Sequence, residues 1–264
     1  MKKLFFFDID GTLLSTPTGL VDISDKNKEA FRALQAKGHS LFIATGRTKC
    51  FIVDPIYRFG FDGYVTCNGA YVEYEGKPIF KHPFENKCLE KLIQVCDQFQ
   101  FDYYIEGVNQ IYVNDKQKES VRDFALRWEM KQDVMVDQFD VEKIEAYIAM
   151  VEVNQEEDID KLMRTLGDDF DISRHPGQLS FDLNVKGINK GKGIEALLRQ
   201  IHFPKEDTYA FGDGNNDLEM IEAVGCGIAM GNGVEPLKQV AKMVTLSVQE
   251  DGVYEALKKL QFIK

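Results

Sequence analysis

Leu4-Phe5-Phe6-Phe7 is an unbroken apolar run that stops at two acids two residues apart, Asp8 and Asp10, followed by Gly11 and Thr12. Four large apolar residues in succession predict a strand buried on both faces, the kind found in parallel α/β sheets. The same punctuation recurs. Ser40-Leu41-Phe42-Ile43-Ala44 runs into Thr45-Gly46-Arg47, and the apolar stretch 63–67 runs into Asn68-Gly69-Ala70. Far downstream, 207–211 runs into Gly212-Asp213-Gly214-Asn215-Asn216-Asp217. Between the first two runs a helix is predicted over 22–37, with Ser24 as N-cap, Ala30, Phe31, Ala33 and Leu34 as its apolar stripe and Gly38 as its stop. A second helix is predicted over 48–59. Strands alternating with helices predict a doubly wound α/β domain with a parallel sheet.

The rhythm changes after the third run. Residues 70–80 alternate around Glu75-Gly76-Lys77 and read as a hairpin leading out of the sheet. From 83 to 184, helical stretches (86–100, 115–129 and 156–166) interleave with strands (102–106, 110–113, 146–153 and 179–185). This pattern predicts an α+β unit with an open-faced antiparallel sheet, inserted into the first domain. The opening rhythm then returns, with a helix over 193–200, strands over 207–211, 227–230 and 243–245, and helices over 218–224 and 253–260. The expected division is therefore a core of 1–82 with 185–264, and an inserted unit of 83–184. No internal repeat is visible.

Composition narrows the partners. The 264 residues are 44% apolar with 19 phenylalanines, enough for one large or two moderate cores. A formal charge of −11, from 43 acids against 32 bases, argues against nucleic acid or an anionic membrane as main partner. Five cysteines without C-x-x-C spacing read as reduced thiols in a cytoplasmic protein. The start, Met1-Lys2-Lys3, precedes an apolar run too short for a signal peptide, and no segment is apolar over the length a membrane span needs. Nothing in the chain points to an obligate protein partner.

If the four punctuated strands are parallel, their polar ends share one edge, the edge where open sheets bind ligands. Asp8, Asp10 and Asp213 would repel one another without a cation among them. Oxygen ligands with no neighbouring His or Cys favour Mg²⁺, with waters and a substrate phosphate completing the coordination. Thr45, the backbone N–H groups of Gly46 and Gly69, and Lys190 supply the donors a phosphoryl group requires. In this chemistry Asp8 attacks phosphorus and Asp10 protonates the leaving alcohol, then deprotonates the hydrolytic water.

Asp8-Ile9-Asp10-Gly11-Thr12, Thr45-Gly46-Arg47, Lys190 in Asn189-Lys190-Gly191, and Gly212 to Asp217 resemble, in order, the four motifs of the haloacid dehalogenase superfamily. The insertion resembles the large α/β cap of its Cof-type sugar-phosphate phosphatases, and the likeness spans essentially the whole chain. The resemblance implies Asp8 as nucleophile, Asp10 as acid/base, and Mg²⁺ held by Asp8, the Asp10 carbonyl and Asp213, with Asp217 supporting its waters. It further implies phosphate contacts from Thr45, Gly46, Lys190 and Asn216. The implied substrate is a small phosphorylated metabolite, most naturally a hexose phosphate.

Competing readings have less behind them. Asp213 to Asp217 resembles the start of a calcium loop, but Leu218 stands where glycine is required. Gly191-Lys192-Gly193 opens a weak dinucleotide fingerprint, but five residues separate it from the preceding strand. His39, His82, His175 and His202 show no ligand spacing. Arg47, Asn68 and Gly69 are candidate substrate contacts at the core, and Arg174 with His175 in the insertion. A phosphomutase, or a catalytically silent sugar-phosphate-binding protein, remains as an alternative reading; an intact acid at Asp10 speaks against the silent one.

Overall fold

The computed structural model describes residues 1–128, 130, 133–175 and 177–264. The chain opens with β1 (Leu4–Phe7), α1 (Asp25–Ala36), β2 (Ser40–Ala44), α2 (Asp54–Phe59), β3 (Gly63–Thr66), β4 (Tyr71–Tyr74) and β5 (Lys77–Lys81). Next come α3 (Asn86–Phe99), β6 (Asp102–Glu106), β7 (Ile111–Val113), α4 (Glu119–Arg127), β8 (Met135–Val136), β9 (Ile148–Glu152), α5 (Ile159–Leu166), β10 (Phe170–Arg174) and β11 (Ser180–Val185). The final stretch holds α6 (Lys190–Gln200), β12 (Thr208–Gly212), α7 (Leu218–Ala223), β13 (Cys226–Ala229), α8 (Glu235–Val240), β14 (Met243–Val244) and α9 (Gly252–Lys259).

Two compact units result. The first is Met1–Gly46, Ile52–Lys81 and Asn189–Lys264; the second is Arg47–Phe51 and His82–Ile188. The insertion expected from 83 to 184 thus runs from 82 to 188, and the short segment 47–51 joins it. That segment was expected to continue a helix to residue 59. Instead a 3₁₀ turn covers Lys49–Phe51, and α2 starts afresh with Pro55 in its first turn, where a missing N–H costs no hydrogen bond.

In the first unit, the described strands form one sheet ordered β14-β13-β12-β1-β2-β3-β4-β5. β1 lies parallel between β2 and β12, with Phe7 level with Ile43 and with Phe211. This register brings Asp8, Thr45 and Asp213 to the same sheet edge. All four side chains of β1 are fully buried. Phe5 and Phe7 pack on one face with Phe31 and Phe211, while Leu4 and Phe6 pack on the other with Phe42 and Ile194. The ring of Phe7 lies 4.6 Å from Phe31 and 5.1 Å from Phe211.

β4 and β5 correct the expectation of a hairpin leading out of the sheet: they extend it as antiparallel strands. Val72 and Tyr71 are buried, so leaving the sheet would expose them. α6 begins at Lys190 and not at 193, because the Asn189 side chain accepts the Lys192 N–H at 2.9 Å and caps the helix. α8 was not foreseen.

The second unit has a sheet ordered β10-β11-β9-β6-β7-β8 among the described residues, antiparallel except where β8 runs parallel to β7. β8 and β10 were not foreseen. The helix expected over 115–129 covers Glu119–Arg127, and residue 129 lies outside the described residues. Phe51, Tyr104, Ile111, Val113, Val121, Phe124 and Met135 form one apolar cluster of this unit. Among the described residues no helix is long and apolar enough to cross a membrane.

Phe7→Ala empties a fully buried ring site. It is expected to lower stability by about 3–5 kcal/mol, read as a shift in the midpoint of urea unfolding with an unchanged slope.

Candidate active site

The turn after β1 sets the site. The N–H groups of Leu13 and Leu14 both donate to the Ile9 carbonyl at 2.9 Å, folding the chain back within five residues. Asp8 stays buried at the strand end, and Asp10 faces outward with an exposed side chain. Gly11 sits in the left-handed region at φ +90°, and a Cβ there would lie 2.0 Å from Asp213 Oδ2. Only glycine fits that contact. The next residue, Thr12, is fully buried and donates from Oγ1 to Asp213 Oδ1 at 3.0 Å.

Lys190 is the centre of the arrangement. Its side chain is fully buried, and Nζ lies 2.6 Å from Asp8 Oδ1 and 2.6 Å from Asp217 Oδ1. Asp217 Oδ2 in turn accepts the Asp213 and Gly214 N–H groups, each at 2.9 Å. Both Asp217 oxygens are therefore engaged in holding Lys190 and the 213–217 loop. Burial disfavours the Lys190 ammonium, yet Asp217 and Asp8 outweigh it and hold the group above its ordinary range. Burial pushes Asp8 well above the usual carboxylate range, Lys190 opposes the rise, and the carboxylates of Asp217 and Asp213 add to it. Burial also pushes Asp213 up to about 6, with Asp217 adding to the shift.

Oxygens of Asp8, Asp213 and Asp217 lie within 4.8 Å of one another. Three carboxyl groups face one ammonium, so their full ionisation leaves negative charge uncompensated. Asp213 Oδ2 makes no hydrogen bond among the described residues, and an all-oxygen donor set crowded around one ammonium suits a hard divalent cation. This observation fits the magnesium expected from the sequence.

Asn68 occupies a left-handed turn, with Cys67 at φ +54°, Asn68 at +48° and Gly69 at +93°. Its Oδ1 accepts a hydrogen bond from Asn216 Nδ2 at 3.2 Å, linking the third and fourth strand ends. Gly69 is buried, and a Cβ on it would lie 2.1 Å from the Asn189 carbonyl. Close packing against the start of α6 is its evident structural demand. Thr45 is buried, its N–H donating to Val65 and its carbonyl accepting from Asn68 N–H, so Thr45 and Gly46 border the same edge.

The structure thus brings Asp8, Asp10, Thr45, Gly46, Asn68, Gly69, Lys190, Asp213, Asn216 and Asp217 into one unit. Arg47, Arg174 and His175 belong to the other. Arg47 lies over the Trp128 ring at 5.5 Å and donates to the Phe51 carbonyl at 2.9 Å. Arg174 pairs with Glu156 and donates from Nε to the Gln178 carbonyl at 2.8 Å. His175 lies 3.1 Å from Asp182 and 2.8 Å from Ser180 Oγ, and the hydrogen bond to Asp182 raises its pKa. It lines a cavity of about 340 Å³ with Trp128, Arg127 and Glu152. Sequence reasoning had assigned no role to Thr12 or to Asn189. Thr12 stands inside the first motif, and Asn189 directly precedes Lys190, so adjacency was the available signal.

A doubly wound α/β core that gathers paired acids, a third carboxylate and a buried lysine at its strand ends defines a hydrolase class built for phosphoryl groups. The chain belongs to the haloacid dehalogenase-like hydrolases, whose family model matches residues 5–257. It is 35% identical to the Bacillus subtilis (strain 168) protein YkrA, provisionally named a phosphatase, over all of this chain and 99% of that one. The 5-amino-6-(5-phospho-D-ribitylamino)uracil phosphatase YitU of the same organism is 26% identical over 97% of this chain and 96% of its own. Among solved structures, the HAD subclass IIB sugar phosphatase BT4131 superimposes with a TM-score of 0.81 at 30% identity, over 99% of this chain and all of that one. Family and relatives together support a phosphatase.

Lys190→Met leaves Asp8 and Asp217 buried without their cation. It is expected to destabilise the protein by about 3–5 kcal/mol near neutral pH. The loss shrinks as acid protonates the carboxylates, which urea unfolding at neutral and acid pH would show.

Proposed function

We propose that this phosphatase is Mg²⁺-dependent, acts on small phosphorylated metabolites with sugar phosphates foremost, and proceeds through an aspartyl-phosphate on Asp8. The observation that carries the proposal is the 2.6 Å contact between Lys190 Nζ and Asp8 Oδ1 beside Asp213. Lys190 ties down one Asp8 oxygen and leaves the other to attack. It also opposes the rise that burial imposes on the Asp8 pKa, in favour of the ionised form a nucleophile needs. Mg²⁺, held by Asp8, Asp213 and the Asp10 carbonyl, would neutralise charge on the phosphoryl oxygens.

In the first half-reaction an Asp8 oxygen bonds to phosphorus as the phosphorus–alkoxide bond breaks, and Asp10 delivers its proton to the departing alcohol. In the second, Asp10 takes a proton from water, whose oxygen attacks phosphorus and returns Asp8 as a carboxylate. The exposed position of Asp10 suits a group that must reach both alcohol and water. Thr45, Gly46, Lys190 and Asn216 supply the donors to the phosphoryl oxygens. Asp217 acts through Lys190 and the loop it holds.

Sugar phosphates are favoured by two relatives. One is a sugar phosphatase, and the other is named for a phosphate on a ribityl chain. Both present phosphate on a polyhydroxylated carbon skeleton. A cytoplasmic setting accords with five free cysteines.

A panel of phosphorylated metabolites with Mg²⁺, scored for free phosphate and for isomerised ester, tests the reading. Hydrolysis of hexose or pentose phosphates is expected; isomer without phosphate release would make the enzyme a mutase. Asp8→Asn is expected to lose hydrolysis by about 10³-fold or more, and Asp10→Asn by about 10²- to 10⁴-fold. Protons compete with metal for Asp213, whose pKa is about 6. Mg²⁺ affinity is therefore expected to fall as pH drops below about 6, measured by calorimetric titration in acid and neutral buffer.

A further inference from the structure

The turn that follows β13, Met230-Gly231-Asn232-Gly233-Val234, is tied to the fourth strand end from both sides. The Met230 N–H donates to the Gly212 carbonyl and the Val234 N–H to the Asp213 carbonyl, each at 2.9 Å. From this turn the Asn232 side chain reaches the first strand end. Its Nδ2 donates to the Gly11 carbonyl at 2.8 Å, and its Oδ1 accepts the Val248 N–H at 2.9 Å. A carbonyl can only accept and a backbone N–H can only donate, so the two partners fix which end of the amide faces Gly11. A carboxylate in the same place would keep the second bond and lose the first.

Gly11 has the backbone that most needs holding. It sits at φ +90°, and without a Cβ its dihedrals are the least restricted of the turn. The peptide on its amino side is held by the Gly11 N–H, which donates to the Leu14 carbonyl at 2.7 Å. The peptide on its carboxyl side carries the carbonyl that Asn232 binds. The N–H of that peptide, from Thr12, reaches the Ile9 carbonyl only at 3.4 Å, so the Asn232 bond is the closer restraint. Both peptides flanking Gly11 are therefore pinned, one within the turn and one by Asn232. Asp10 stands directly before this glycine, and the Asp10 carbonyl belongs to the first of the two peptides.

We infer that Asn232 is a positioning residue for the reaction: by clamping the Gly11 carbonyl it fixes where Asp10 stands relative to Asp213. The inference rests on the phosphatase reading above. Every partner in it lies within the first unit. Two links then join the acid-bearing loops side by side. Thr12 binds the Asp213 carboxylate at 3.0 Å, and Asn232 joins the Gly11 backbone to a turn that the Asp213 backbone holds. Asn232 is exposed, so water replaces its amide at the Gly11 carbonyl when the side chain is cut back. The loss falls on the aim of Asp10 more than on the stability of the fold.

The test uses the full chain with Asn232→Asp and Asn232→Ala. The aspartate keeps the acceptor for Val248 and loses the donor to Gly11; the alanine loses both. Residue-resolved amide exchange is read without metal or substrate. It is expected to quicken about fivefold or more at Gly11, Leu13 and Leu14 in both variants, and at Val248 in Asn232→Ala alone. Kinetics then read the aim of Asp10 through kcat/KM for two esters with Mg²⁺. Phenolate leaves poorly without a proton and p-nitrophenolate leaves well, so phenyl phosphate depends more on the acid. Both variants are expected to lose about tenfold on phenyl phosphate and markedly less on p-nitrophenyl phosphate. A merely structural role would lower the two esters alike. The inference is overturned if Asn232→Asp exchanges like wild type at Gly11, Leu13 and Leu14, or if the two esters fall equally or not at all. Exchange needs no turnover, so it decides the clamp even where the wild type hydrolyses neither ester and the phosphatase reading fails.

Discussion

One ammonium organises this structure. Lys190 Nζ stands 2.6 Å from both Asp8 and Asp217, with no exposed surface of its own. A lysine so placed is tolerable only with paired carboxylates in good geometry. That demand ties together β1, which ends at Asp8, α6, which starts at Lys190, and the loop through Asp217. Remove the cation and two buried acids face each other. Add a divalent cation and the remaining negative charge, shared with Asp213, is matched. The features that make the site costly to fold are the ones that prepare it for a phosphoryl group.

The sheet supplies the placement. Asp8 lies one step beyond Phe7, whose register with Ile43 and Phe211 is held by ring packing on one face and by Phe6 with Phe42 on the other. The glycines beside the acids act at close range. Gly11 lets the backbone approach Asp213, and Gly69 lets the Asn68 turn approach the start of α6. Chemistry at the strand ends is therefore built on contacts that leave no room for a Cβ.

Much of the core was legible because its signals are local. An apolar run followed by Asp8-Ile9-Asp10-Gly11-Thr12 announces a buried strand and its functional end, and the later runs repeat the device. Local signals failed where tertiary context decided. Residues 48–59 read as one helix, but Thr48 and Phe51 find partners in the second unit, and the chain breaks before Pro55. Residues 71–81 read as an excursion because alternation cannot tell an edge hairpin from a free one. Arg174 and His175 stand out in the sequence for their place between two predicted strands. Their salt bridges, to Glu156 and Asp182, depend on packing that spacing does not encode. Asn232 gave no signal at all: an asparagine between two glycines reads as a turn until the partners of its amide are known.

The central claim is that Asp8 carries the phosphoryl group during turnover. Rapid acid quench of the enzyme with Mg²⁺ and a radiolabelled phosphoester, followed by peptide mapping, tests it most directly. The account predicts label on the peptide containing Asp8, formed within the first turnover and released by hydroxylamine as an acyl phosphate would be. Product formation in that turnover without label on Asp8, or with label on another residue, would contradict it.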